Sequence, residues 1–353
     1  MTNRLGELLF VGFDGTELTV EIRSFLGRIR PGGIILFKRN IVDADQTLRL
    51  IAELRVLFEP APLIAVDEEG GQVSRMRPMA PTLPPAARLA SMGDAAPVRV
   101  MAAALGRILA SAGIDLDFAP VVDLCRPDSP NGIGDRSFGT DAERTCAMAS
   151  AYLEGLSDSG VTGCLKHFPG LGPTLFDSHH HLPTVQKEVE PFLREDLLPY
   201  RRLHARAPIV MVGHGHYPFL SGADPIAATL SAPVVTDLLR GEIGFTGVAL
   251  ADDLEMKAVS ARVPFPELAP RVIAAGCDMA LVCRRREAIE ESLAGLRVWV
   301  ESGRLEQARV AEALARVEGL RAGVARTRGG VTPSLALFRA ACADLSSRLE
   351  VMA

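Results

Sequence analysis

The sequence predicts an α/β fold: a single-domain (β/α)8, or TIM, barrel with its active site at the C-terminal face of the strands. Three observations predict it. Short apolar runs alternate with longer amphipathic ones eight times along 353 residues. The short runs are continuous in their apolarity, as parallel strands buried on both faces must be. No Pro/Gly-rich linker, charge block or low-complexity segment divides the chain. A chain of 353 residues could hold two ordinary domains, but α/β barrels of about 250 residues or more form one. An open doubly wound sheet shares the same alternation and is the runner-up, because counting strands does not show closure.

The short runs fall at 8–13, 33–37, 63–67, 116–122, 163–168, 209–214, 247–252 and 279–283, each rich in Val, Ile, Leu or Phe. The segments between them read as helices. Residues 43–58 open on Asp, whose side chain caps free backbone N–H groups, and then place Leu48, Ile51, Leu54 and Leu57 on one face. Residues 98–112 and 141–156 behave alike, the second with Thr140 and Asp141 as caps. Residues 285–300 and 305–324 are Ala-rich and laced with Arg and Glu. The barrel is read over 1–325, and 326–353 as a short tail with one amphipathic segment at 335–349.

Composition narrows the class. Hydrophobic residues make up 48% and charged residues 23%, which excludes a disordered or collagen-like chain. A net charge of −5 argues against a nucleic-acid or anionic-membrane partner. The longest apolar runs, 208–212 and 247–251, fall far short of the roughly 20 residues of a membrane span. The N-terminus lacks the apolar stretch and small-residue site of a secretory leader. Six cysteines (Cys125, Cys146, Cys164, Cys277, Cys283 and Cys342) form no CxxC pair and read as reduced, mostly buried thiols. A cytoplasmic enzyme is expected, and a monomer is consistent with everything in the sequence.

A barrel places its functional residues at the strand ends, and these positions are rich in polar groups. The third run ends in Asp67-Glu68-Glu69-Gly70-Gly71, with Arg75 close behind; the glycines suit a tight turn. A long loop after the fourth carries Asp123, Asp135 and Arg136. The fifth ends in Lys166-His167-Phe168-Pro169-Gly170 and leads to Asp177, His179, His180 and His181. His214 and His216 follow the sixth, and Asp252-Asp253 close the seventh. A single Asp or His at a strand end is often a helix cap. Five such ends around one rim would cost more to bury than their pairing offsets, so an enzyme site is the better reading.

Carboxylates accept from hydroxyl pairs while Arg and Lys donate to them, a set suited to a multiply hydroxylated substrate. No GxGxxG or GxxxxGK[ST] follows a strand, which argues against a phosphate cradle. The histidines raise the question of a metal, but three consecutive His cannot all face one ion, and HExxH is absent. No metal and no cofactor are expected.

The sequence resembles the single-domain bacterial β-N-acetylglucosaminidases of glycoside hydrolase family 3, over nearly the whole chain. The stretches that carry the resemblance are Val11-Gly12-Phe13, Ala65-Val66-Asp67-Glu68-Glu69-Gly70-Gly71, Phe118-Ala119-Pro120-Val121-Val122-Asp123 and Gly134-Asp135-Arg136-Ser137-Phe138-Gly139. More specific are Lys166-His167-Phe168-Pro169-Gly170, Asp177-Ser178-His179 and Asp252-Asp253-Leu254-Glu255-Met256.

The resemblance implies roles. Asp252 falls where the family has its nucleophile. His179, with Asp177 two residues before it, matches the acid/base dyad of this branch. Asp67, Arg75, Arg136, Lys166 and His167 match sugar-gripping residues, and His214 a strand-end His of the substrate site. Asp253 reads as a supporting residue, since adjacent strand side chains point to opposite faces. In this dyad the His would protonate the leaving oxygen, and Asp177 would orient and stabilise its ring. A His that becomes neutral leaves no negative charge against an incoming anion, so phosphate as well as water could accept the sugar. The loop 170–183, bounded by Gly and Pro, fits a flap that delivers His179.

One departure is Gly170-Leu171-Gly172, where the family often has Gly-His-Gly; it touches local hydrogen bonding and substrate preference. The resemblance therefore implies a retaining exo-β-N-acetylglucosaminidase, acting on a GlcNAc-containing oligosaccharide or muropeptide derived from peptidoglycan. The alternatives are a β-N-acetylglucosaminide phosphorylase, a β-glucosidase or β-xylosidase, and a sugar-binding barrel without turnover.

Overall fold

The computed structural model describes residues 2–129, 131–172 and 181–352. The strands are β1 Leu9–Val11, β2 Gly33–Leu36, β3 Leu63–Val66, β4 Glu68–Gly70, β5 Val73–Ser74, β6 Leu116–Asp117, β7 Thr162–Phe168, β8 Ile209–Val212, β9 Val248–Asp253 and β10 Met279–Val282. Eight of them close a barrel in the order β1-β10-β9-β8-β7-β6-β3-β2, while β4 and β5 form a separate two-stranded hairpin. All eight apolar runs supply a barrel strand, and every neighbouring pair in the barrel is parallel. The barrel is closed, so the open sheet is excluded.

The fourth run is shorter as a strand than its apolarity suggests. Only Leu116–Asp117 forms regular ladder, although the Phe118 N–H still donates to the Val66 carbonyl at 2.9 Å and the Ala119 carbonyl accepts from the Cys164 N–H at 2.8 Å. Val121 then returns to pair with Lys166 through one isolated bridge. The helices follow their caps. Asp43 accepts from Gln46 N–H at 2.8 Å to start Ala44–Arg55, and Asp141 accepts from Arg144 N–H at 3.0 Å to start Ala142–Asp158. Ala96–Ala112 ends on Gly113 at φ 90°, a left-handed position that glycine takes without a Cβ penalty.

The barrel interior is filled by alternating strand residues, among them Ile35, Leu63, Cys164, Met211 and Leu250, with Phe10 and Phe118 packed edge-to-face at 5.3 Å. The helix Gln307–Arg328 adds Val317, Leu320 and Val324 to this cluster from below. It lies against Thr162, Pro208 and Gly247, at the N-terminal ends of β7, β8 and β9. Its Arg309 and Arg316 pair with the fully buried Asp278 at 2.6 and 3.1 Å. This helix crosses residue 325 without a break, and the last helix, Leu335–Met352, packs Phe338, Ala341 and Leu345 into the core shared with Ala96–Ala112. All six cysteines are unpaired, five of them buried. Among the described residues, no helix is long and apolar enough to cross a membrane.

Candidate active site

The site begins where β3 ends. Asp67 follows the strand, and the β4–β5 hairpin folds the chain back through Gly70 and Gly71, at φ 88° and 53°. A Cβ on Gly70 would come within 2.6 Å of the Pro84 carbonyl oxygen, so the turn needs glycine for space as well as conformation. Alternation along the hairpin sends Glu68 and Glu69 different ways. Glu68 turns inward to accept from the Arg75 and Met76 N–H groups at 2.7 and 2.9 Å. Glu69 faces the cavity with Asp67.

Lys166, 2% exposed, reaches between these two carboxylates, with its Nζ 2.9 Å from Asp67 Oδ1 and 2.5 Å from Glu69 Oε1. Arg136 holds Glu69 by both oxygens, at 2.7 and 2.9 Å. Burial alone would push the Glu69 carboxyl up, but Arg136 and Lys166 more than offset it and hold it well below the usual carboxylate range. Burial likewise opposes the Lys166 charge, and Asp67 with Glu69 outweighs it, so the ammonium is retained. Arg75 sits less tightly, its Nη2 3.7 Å from Asp67 Oδ2 and its buried Nε without a partner among the described residues. A fixed array of paired charges with a spare donor is suited to gripping hydroxyl groups without reorganising.

Two bulges bring further side chains to the rim. On β7 the register runs Lys166–Met211 and then Phe168–Val212, leaving His167 out of the ladder. On β9 it runs Ala251–Ala280 and then Asp253–Leu281, leaving out Asp252. A bulge breaks strict alternation, and consecutive residues in both strands line one cavity. The expectation that Asp252 and Asp253 face opposite ways fails for this reason. Asp253 nevertheless has a supporting position: its Oδ1 accepts from the Glu255 and Cys283 N–H groups at 3.0 and 3.2 Å, and burial pushes its carboxyl up to about 7. Asp252 Oδ1 accepts from the Asp253 N–H at 2.8 Å.

The cavity has a volume of about 770 Å³ and is lined by Asp67, Arg75, Arg136, Lys166, His167 and Asp252, together with Glu69, Asp253 and Leu171. The structure therefore gathers six of the expected residues. His214 is not among its lining. It is wholly buried behind the rim, with Nδ1 2.8 Å from Thr229 Oγ1 and Nε2 3.0 Å from the Asp253 carbonyl, and burial lowers its pKa. Asp177 and His179 lie outside the described residues, as does His180.

Two carboxylates named among the strand-end polar groups were given no role from sequence. Glu69 carries the Lys166–Arg136 link, and its signal is its position two residues after Asp67 on an alternating stretch. Asp123 carries His167, with Oδ2 2.7 Å from the ring Nδ1. Leu171 tucks against Val121, Cys125 and Ile133. The backbone of Gly170, Leu171 and Gly172 is held by other groups: Tyr217 Oη donates to the Gly170 carbonyl at 2.7 Å, Asn131 Nδ2 to that of Gly172 at 2.6 Å, and the Leu171 N–H to Asp123 Oδ1 at 2.8 Å.

A closed barrel whose rim cavity combines paired cations, gripping carboxylates and a bulged strand-end Asp has the layout of an enzyme that handles a polyhydroxylated substrate. The glycosyl hydrolase family 3 N-terminal domain matches residues 1–320. A β-hexosaminidase from Chromobacterium violaceum is 36% identical over 356 residues, covering 98% of this chain and 96% of that one. A family 3 β-N-acetylglucosaminidase from Paenibacillus superposes with a TM-score of 0.91 at 34% identity, over 99% of this chain and 68% of its own. NagZ from Neisseria gonorrhoeae, solved with N-trifluoroacetyl-D-glucosamine, gives 0.79 at 31% identity over 97% of each chain. The chain belongs to glycosyl hydrolase family 3, and it is a glycoside hydrolase.

Proposed function

We propose that this protein is a retaining exo-β-N-acetylglucosaminidase that removes terminal β-linked GlcNAc from peptidoglycan-derived muropeptides. The observation that carries the reading is Asp252, set by its bulge at the end of β9 into the same cavity as Asp67, Lys166, His167 and Arg136. Asp252 attacks the anomeric carbon and the bond to the aglycone oxygen breaks, leaving a glycosyl-enzyme. His179, oriented by Asp177, gives its proton to that oxygen. The now neutral His179 then takes a proton from water, which attacks the same carbon and frees Asp252. Asp67, Arg75, Arg136, Lys166 and His167 hold the sugar hydroxyls; His214, behind Asp253, acts by fixing that strand end. The β-hexosaminidase and NagZ relatives support a GlcNAc-containing substrate. Six unpaired cysteines favour the cytoplasm. We assign the catalytic residues to the barrel over 1–325, which the helix Leu335–Met352 supports by packing Phe338, Ala341 and Leu345 into its core.

Release of nitrophenol from β-GlcNAc and β-glucose glycosides, each with and without phosphate, tests the reading. Turnover of the GlcNAc glycoside alone, indifferent to phosphate, is expected. Dependence on phosphate would make the protein a phosphorylase, turnover of glucose would move it to the β-glucosidases, and silence on both would leave a sugar-binding barrel.

A further inference from the structure

Asp123 is buried beneath the cavity floor, follows β6 by six residues, and is not among the residues that line the cavity. Its two oxygens are directed at two different tasks. Oδ2 lies 2.7 Å from His167 Nδ1. Oδ1 accepts the Leu171 N–H at 2.8 Å, in the stretch that leaves β7. The His167 backbone N–H also points at this carboxylate, at 3.3 and 3.4 Å from its two oxygens. The other ring nitrogen, Nε2, has no hydrogen-bond partner among the described residues, and His167 lines the cavity.

We infer that Asp123 is a positioning residue that fixes the tautomer of His167, placing the ring proton on Nδ1 and presenting a bare Nε2 as an acceptor for a sugar hydroxyl. A carboxylate can only accept, so the nitrogen facing it must donate; in the neutral ring the remaining nitrogen is then an acceptor. The cavity already holds donors in Lys166, Arg136 and Arg75, and the carboxylates Asp67 and Glu69 are drawn into ion pairs with them. An imidazole acceptor adds an uncharged partner for a hydroxyl that those cations do not supply. The inference rests on His167 being a sugar-gripping residue, and concerns how it grips.

Asp123→Asn separates the two tasks. Its Oδ1 can still accept from Leu171, while its Nδ2 now donates toward His167 and forces the ring proton to Nε2, turning the acceptor into a donor. The loop base stays held through Tyr217 and Asn131 as well. We expect KM for nitrophenyl β-GlcNAc to rise about 10- to 100-fold, the cost of a lost hydrogen bond facing an unsatisfied group, with kcat changed less.

In a His167→Ala background the same Asn substitution should add less than about twofold, because the two residues act as one unit. A full effect that persists without His167 would show that Asp123 acts through the loop, and would overturn the inference. Histidine ring 15N shifts of the wild-type protein give a second reading that needs no turnover. The Nδ1–H tautomer at neutral pH is expected. A ring protonated on Nε2, neutral or cationic, contradicts it. Failure of the wild type to hydrolyse either glycoside would count against the proposed function and leave the tautomer measurement standing.

Discussion

At the scale of residues, burial separates two neighbouring carboxylates into different roles. Asp253 is pushed up to about 7 by desolvation, even with two backbone N–H groups on its Oδ1. The ordinary value for an unfolded Asp is about 3.9, so the folded state holds this proton over a window in which the unfolded chain has released it. Its contribution to stability is therefore complete below about pH 4 and is lost as pH rises through about 7. Asp253→Asn keeps an oxygen for both N–H groups and removes the titration. Its stability relative to wild type should rise across that window and then level off, by up to about 4 kcal/mol at 1.4 kcal/mol per unit. Denaturant unfolding of both proteins at several pH values measures this; a pH-independent difference would contradict it. Period-two alternation assigns Asp253 the supporting role from sequence, but the bulge cancels that rule, and its position comes instead from burial and the two N–H groups on its Oδ1. Asp123 was equally hard to assign, since its work is done on another residue and no spacing announces it.

At the scale of elements, the strands were the most legible part. Parallel strands covered on both faces must be uniformly apolar, and that composition survives without knowledge of the fold. Helix starts were legible where Asp43 and Asp141 supply a cap with a local partner. What could not be read was the task of the helix Gln307–Arg328. Its Arg/Glu-laced sequence looks like any outer helix, yet Val317, Leu320 and Val324 join the barrel interior from below, a contact made only once the barrel exists. Leu320, 5% exposed, is a direct probe of that closure. Leu320→Ala should cost about 2–4 kcal/mol of unfolding free energy, as large-to-small core changes do. KM should stay within about twofold, because the change lies at the opposite end of the barrel from the cavity. A neutral effect on stability would show that the helix does not seal the base.

At the scale of the whole molecule, closure of eight strands turns scattered strand-end residues into one cavity. Asp67, Arg136, Lys166 and Asp252 are far apart in sequence and come together because parallel strands all end on the same side. The charge pattern at those ends was visible in the sequence because the strands that carry it were. The pairings within it, Glu69 with Lys166 and Arg136 above all, depend on the hairpin and could not be seen. The central claim is that this cavity works through a covalent bond to Asp252. The measurement that tests it most directly is the mass of the protein and its peptides after reaction with a fluorinated GlcNAc fluoride, whose glycosyl-enzyme breaks down slowly. One added glycosyl residue on the peptide containing Asp252, absent from the Asp252→Ala variant, is the predicted result. A label on another residue, or no label with product of inverted anomeric configuration, would contradict it.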